Sequence, residues 1–389
     1  MNNRNMFQNH QRAERKMLNN NCNDATIVTI GSGNIEYVMQ LGGEFRIGKK
    51  NQVNSTELLG GSCINYSLRL LNAGFDVFPI PSVGKDLIGL SIQNKLFDAG
   101  FKNGISQASI EFIQSEDFFV PGISSPHSTI IVHNGCRTIF SQKLIGMENF
   151  GQHVQKRLGK IDALLGGSPC AIMIGHIYSD ALSLEPGCAT KAVIRNYGKK
   201  SFLFANFGVS QLQHGRNFWK EDLRCIDLFQ LNLEEIKQFF NNTGRKILLF
   251  EIVDWLRENS ITAVITLNRF GAIGTYKNGS DGLIVARPIC MGKMVDPTGA
   301  GDAFGSGMVS CLCKKKQFTF QEFFDSIQAG MVWASFACRT FGGSSQCPSK
   351  HTLNEFIQGK KKKLRESVEV KGKISAAKFL NQVDHEYGE

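Results

Sequence analysis

Asp296-Pro297-Thr298-Gly299-Ala300-Gly301-Asp302-Ala303-Phe304 is the stretch that decides how this chain is read, because it joins an extended apolar segment to a run of small residues with helical character. Glycines strip side chains from a turn, so successive backbone N–H groups can converge on an anion. The helix that follows adds the positive end of its dipole. Asp302 then stands beside that anion, in the first helical turn. A carboxylate among anion-attracting N–H groups needs another object to face, and a substrate hydroxyl awaiting deprotonation supplies one. The plainer reading is a capped helix start, in which Thr298 or Asp302 only satisfies free N–H groups. Context separates the two, since a phosphate cradle needs a strand before it and a helix after it.

Outward from this stretch the chain alternates. Short apolar runs at residues 26–30, 77–83, 171–174, 201–205, 227–231 and 262–267 are separated by helix-length segments. That spacing predicts parallel strands with crossover helices, an α/β doubly wound sheet. Residues 271–276 and 283–286 break the rhythm as a hairpin just ahead of the cradle. Gly60-Gly61 opens a helix whose apolar positions Ile64, Leu68 and Leu71 follow helical spacing, with Gly74 as its cap. A second helix is expected over 88–99, closed by Gly100, and the last ones over 320–339 and 352–357. Residues 36–59 alternate loosely between glycines, as short extended strands do. Residues 1–24 are a polar, Asn-rich leader expected to be disordered, and 358–389 a basic, then polar, loosely held tail.

The composition sets the class. A chain of 389 residues, 42% hydrophobic and 20% charged, buries a sizeable core in an ordinary globular protein. Its 11 cysteines contain no CxxC pair, so neither a zinc nor a disulfide framework is expected, and a reducing, cytoplasmic setting is. No apolar run approaches the length of a membrane span. The net charge of +10 comes largely from lysine runs such as Lys314-Lys315-Lys316, without interleaved aromatics. Such runs read as solvated faces, and neither a membrane nor a specific nucleic-acid partner is expected.

The D-P-T-G-A-G-D-A-F pattern resembles the carboxy-terminal signature of the ribokinase family, the phosphofructokinase B-type carbohydrate and purine kinases. Gly60-Gly61-Ser62-Cys63-Ile64-Asn65 is similar to that family's amino-terminal G-G-x-x-x-N, and Asn232-Leu233-Glu234-Glu235 to its N-x-x-E element. The resemblance covers about residues 25–357 and implies a three-layer α/β/α ribokinase-like domain. Its mostly parallel sheet would carry a small β lid from 36–59 and 115–141, through which a homodimer could form. It implies transfer of the γ-phosphoryl of MgATP to a hydroxymethyl group of a sugar. Alternatives are a nucleoside, adenosine-like, kinase or an inactive ligand-binding member of the fold.

By the same resemblance Asp302 is the base, and Gly299, Ala300, Gly301 and Asp302 supply the anion hole. Asn34, Glu36, Gly60, Gly61, Ser62 and Asn65 hold the acceptor. Glu36 stands where relatives carry an aspartate, which leaves the sugar's identity open. Asn232, Thr266, Asn268 and Gly271 line the nucleotide site. Asn268 replaces a usual glycine, and asparagine tolerates left-handed backbone. Glu235 places Mg²⁺ through water, and Gly342-Gly343-Ser344-Ser345 falls where relatives hold a monovalent cation such as K⁺, with Asp296 and Thr298 on its other side. Gly84-Lys85-Asp86 through Gly89 resembles the turn that normally follows and is read as structural.

Overall fold

The computed structural model describes residues 23–44, 46–133, 136–142, 147–177, 181–182, 185–186, 188–240, 247–277, 282–289, 294–340, 342–344, 347–359 and 366–387. Among them nine strands form one sheet. Strand β1 (Asn23–Gly31) lies between β4 (Phe75–Pro81) and β7 (Ala171–Ile174), and β8 (Phe202–Ala205), β9 (Leu228–Asn232) and β10 (Ala263–Thr266) extend the sheet in parallel. Beyond β10 come β11 (Ala272–Thr275), β12 (Leu283–Ala286) and β13 (Val368–Lys371), all antiparallel to their neighbours. Every residue of β7 and β8 is buried. Helices cover both faces, which is why these strands read as continuous apolar runs rather than as alternation.

Two apolar clusters form, one on each side of the sheet. One holds Tyr66, Leu70, Phe304, Met308 and Trp333, the other Phe207, Trp219, Phe239 and Leu256. A separate four-stranded sheet, in the order β3 (Val53–Gly60), β2 (Asn34–Leu41), β5 (His127–His133) and β6 (Cys136–Ser141), makes the lid. No helix among the described residues is long and apolar enough to cross a membrane.

Three expectations need correction. Residues 115–126 are not lid: a short 3₁₀ turn covers Glu116–Phe118, and Phe118, Phe119 and Val120 are buried in the main body. The helix expected to stop at Gly100 runs as α2, Leu87–Lys102. Gly100 there is a contact glycine, since a Cβ would lie 2.5 Å from Ile105 Cδ1. The third concerns residues 358–389. Among those described, Val368–Lys371 is the edge strand of the main sheet, and helix α7, Lys373–Tyr387, buries Ala376, Leu380 and Val383 in the second cluster. Residues 1–22 lie outside the described residues, and Asn23 and Asp24 of the expected leader already belong to β1.

Three of the motif-bearing loops leave the carboxyl ends of parallel strands. Gly31 ends β1, Asn232 ends β9 and Thr266 ends β10. In open α/β sheets that edge is where ligands bind. Asp86 is structural as read: its carboxylate caps α2 by accepting from Gly89 N at 2.9 Å and from Ser125 N at 2.7 Å.

Candidate active site

Helix α5 (Ala300–Leu312) begins at Gly299, whose φ of 72° is left-handed backbone. A Cβ at Gly299 would run into Gly343, so only glycine lets the two loops meet. The first N–H groups of a helix have no partner in its own ladder, and those of Gly301 and Asp302 open this one. The Ala300 N–H turns back to donate to Pro297 O at 3.1 Å. The N–H groups left to face an anion at this turn are therefore those of Gly299, Gly301 and Asp302. Gln230, buried on β9, braces the turn by donating to Gly301 O at 2.8 Å.

Helix α1 (Ser62–Asn72) carries Asn65 to Asp302. Gly61, at φ 91°, starts it where a Cβ would collide with the Ser32 carbonyl. Asn65, one turn in, donates from Nδ2 to Asp302 Oδ2 at 2.6 Å. Burial pushes the Asp302 carboxyl above the usual range, against the Asn65 hydrogen bond and the charges of His176 and Arg69, which lower it. Burial, and then the Asp302 charge, push the Tyr66 phenol well above its ordinary value.

Asn34 and Glu36 project from β2 toward the turn at Gly60. A Cβ there would lie 2.8 Å from Glu36 Oε1 and 2.5 Å from Asn34 Oδ1. The buried oxygens Asn34 Oδ1 and Asn65 Oδ1 have no hydrogen-bond partner among the described residues. Buried acceptors left this way are costly, so a polar ligand suits the space they face. Ser62 does not belong with them. Its N–H donates to Ser32 Oγ at 3.0 Å, and its Oγ accepts from His176 N at 2.9 Å, so it is a joint between three loops.

On the other side of the cradle lies a cavity of about 910 Å³, large enough for a nucleotide, and Asn232, Thr266, Asn268 and Gly271 all line it. Asn268 has φ 49°, the left-handed backbone expected of it. No local sequence signal marks the apolar wall from Ile289, Met331 and Ala334, or the rim from Glu386 and Tyr387. Nor does one mark His176, whose Nε2 lies 3.0 Å from Asn206 Oδ1 and whose charge acts on both Asp302 and Glu235.

Glu235 and Asn232 cap helix α3 (Leu233–Phe240) reciprocally: Asn232 N donates to Glu235 Oε2 at 2.8 Å, and Glu235 N to Asn232 Oδ1 at 2.8 Å. Burial raises the Glu235 pKa, and the charges of Asp302 and Glu234 add to that. Two carboxylates that feel each other across one cleft suit a divalent cation. Among the described residues no cluster of three or more His, Cys, Asp or Glu could hold one unaided.

The oxygens expected around a monovalent cation already accept hydrogen bonds from the protein. Asp296 is buried; its Oδ1 accepts from Thr298 N at 3.0 Å and from Thr298 Oγ1 at 2.7 Å, and its Oδ2 accepts from Gly342 N at 3.0 Å. The Gly343 carbonyl accepts from Arg69 Nη2.

Comparison with known proteins adds the following. The family model of pfkB family carbohydrate kinases matches residues 207–350. The chain is 22% identical to a ribokinase of Haemophilus influenzae, over 86% of this chain and 98% of that protein. The solved ribokinase of Giardia lamblia superposes with a TM-score of 0.65 at 17% identity, covering 86% of this chain and 99% of that one. A nucleoside kinase of Burkholderia thailandensis, solved in complex with inosine, gives 0.61 at 16% identity, over 86% and 97%. At these identities the two superpositions speak for the fold.

Proposed function

Because the chain belongs to the PfkB family of carbohydrate kinases, we propose that it transfers the γ-phosphoryl group of ATP to a hydroxymethyl group of a sugar, with Asp302 as general base. One observation carries the reading. The Asn65–Asp302 hydrogen bond joins two motifs 237 residues apart in sequence, and so sets an acceptor-reading amide against a base beside a helix N-terminus.

In this scheme the acceptor hydroxyl gives its proton to the Asp302 carboxylate as its oxygen attacks the γ-phosphorus, and ADP leaves. The N–H groups of Gly299, Gly301 and Asp302 meet the charge on the transferring group, an arrangement suited to phosphoryl transfer. Asn65 holds the carboxylate in place. Asn34 and Glu36 read the ring hydroxyls, and Asn232, Thr266, Asn268 and Gly271 seat the nucleotide. Mg²⁺, held by Glu235 through water, would neutralise phosphate charge when bound. The lid sheet closes over the acceptor and excludes water, which otherwise competes for the phosphoryl group.

A sugar and a nucleoside present the same hydroxymethyl group on a furanose ring, so a nucleoside kinase is the second reading. The fold shared with the inosine-bound relative favours keeping it. A panel of sugars and nucleosides assayed for ADP release separates the two. Absence of acceptor-dependent ADP release across the panel would overturn both and leave a ligand-binding member of the fold. The exposed Ile139 and Phe140 on edge strand β6 fit a homodimer through the lid, which sedimentation velocity tests.

Glu36 carries a sharper expectation, since its carboxylate sits over the Gly60 turn beside Asn34. Glu36→Gln removes the charge at nearly constant size. Acceptor affinity should fall by about 1.5–3 kcal/mol, the worth of a charge-assisted hydrogen bond, while ATP affinity holds. Calorimetric titration with acceptor and with a nonhydrolysable ATP analogue measures both. Equal acceptor affinities would move hydroxyl reading to Asn34 and Asn65.

A further inference from the structure

Arg69 lies one turn after Asn65 on α1, on the same face, and is 1% exposed. Its Nη2 donates to the Gly343 carbonyl and reaches the Gly299 carbonyl at 3.5 Å. Those carbonyls belong to the two glycine loops that meet behind the anion hole. No carboxylate among the described residues pairs with this guanidinium, and its Nε and Nη1 have no hydrogen-bond partner among them. A buried charge without an ion-pair partner is expensive, so its retention needs a reason beyond packing.

The Gly343 carbonyl belongs to the segment that the family resemblance places around a monovalent cation, opposite Asp296 and Thr298. Such an ion is held by several converging oxygens with lone pairs to spare. Here each Asp296 oxygen already takes a protein N–H or O–H donor, the Gly343 oxygen takes Arg69, and a cation drawn to that carbonyl would meet the like charge of the guanidinium. The two loops are thus already drawn together around a positive charge, one that also lowers the pKa of Asp302.

We propose that Arg69 is a built-in replacement for the monovalent cation. It is a positioning residue that ties the 296–302 loop to the 342–344 loop, holds the anion hole in register, and makes the enzyme indifferent to K⁺. The proposal rests on the kinase reading for its rate effects and on geometry alone for the absence of a cation site. Arg69 acts through the loops, so its loss should show in kcat more than in the KM for the acceptor.

The test has two arms. In the first, thermal unfolding of the wild-type protein is followed in K⁺, Na⁺ and tetramethylammonium chloride at equal ionic strength. An ion that binds only the folded state raises Tm by mass action, so the three curves should coincide. A K⁺-specific rise of several degrees would overturn the proposal whether or not an acceptor is known. In the second arm, turnover of wild type, Arg69→Met and Arg69→Lys is compared in the same salts. The wild type should ignore the cation. Arg69→Met should lose kcat on the order of ten- to a hundredfold, less than removal of a direct oxyanion-hole donor costs. K⁺ or Arg69→Lys should restore part of it. Wild-type kcat in Arg69→Met, or K⁺ activation of the wild type, would refute the replacement role. If Arg69→Met does not fold, Arg69→Lys and the wild-type salt series decide by the same criteria. Failure of every acceptor to turn over counts against the kinase reading and leaves the first arm standing.

Discussion

Asp302→Asn lowers kcat on the true acceptor by about a hundred- to ten-thousand-fold, the range that a general base contributes. Nucleotide affinity changes little, because the helix N–H groups that meet the phosphate are backbone. The substitution keeps the size of the side chain, so a circular dichroism spectrum and melting curve close to wild type should accompany the loss. Turnover within threefold of wild type would remove Asp302 from the chemistry. The pH profile gives a second reading of the same residue. Burial raises the Asp302 pKa, and only the ionised carboxylate accepts a proton. Activity should therefore fall as pH drops through that raised value, at a higher pH than the usual carboxylate range near 4. The Asp302 charge also acts on Glu235, so the acidic limb belongs to the pair.

A chain ended at Lys363 loses the edge strand and α7 together, and should lose most of its stability. Val368, Leu380 and Val383 are all buried, and a fully buried side chain of this kind is worth about 1.5–3 kcal/mol. Three of them amount to a large share of the roughly 5–15 kcal/mol that holds a native protein together. Polar links go with them. Asp384 accepts from Leu249 N at 2.6 Å, at the start of helix α4 (Leu249–Glu258), and from Lys237 Nζ at 2.8 Å. At the nucleotide cavity, Glu386 pairs with Arg269 at 3.1 Å, and Tyr387 lies 5.7 Å from the Phe270 ring. The truncated protein is expected to be insoluble, or to melt on the order of 10 °C lower with weakened ATP binding. A melting point and ATP affinity equal to those of the full chain would show that this segment only decorates the sheet.

Much of the fold was legible because its signals are local. Buried parallel strands must be apolar on both faces, so β7 and β8 announce themselves in four residues each. Glycines that a close approach demands, Gly61 and Gly299, stand beside the residues they serve. A left-handed position can be read from Asn268 alone. The edge strand Val368–Lys371 could not be read this way. Only one of its residues is buried, its Glu369 and Lys371 are polar, and it pairs with Leu283–Ala286 far upstream. A strand that is half solvated carries too little apolar pattern to be distinguished from a tail.

The site divides along the same line. From sequence alone came the glycine turn, the aspartate proposed as base and the asparagine at Asn65 that meets it, because helix starts and close approaches demand particular residues at fixed local spacing. Tertiary structure alone decided which neighbouring atoms remain free for ligands. It engaged Ser62 in a joint between loops, turned the Ala300 N–H toward Pro297, gave both oxygens of Asp296 protein donors and set Arg69 against Gly343. A hydrogen-bonding group is available to a ligand only when no nearer partner has taken it, and these partners lie as far as 274 residues along the chain.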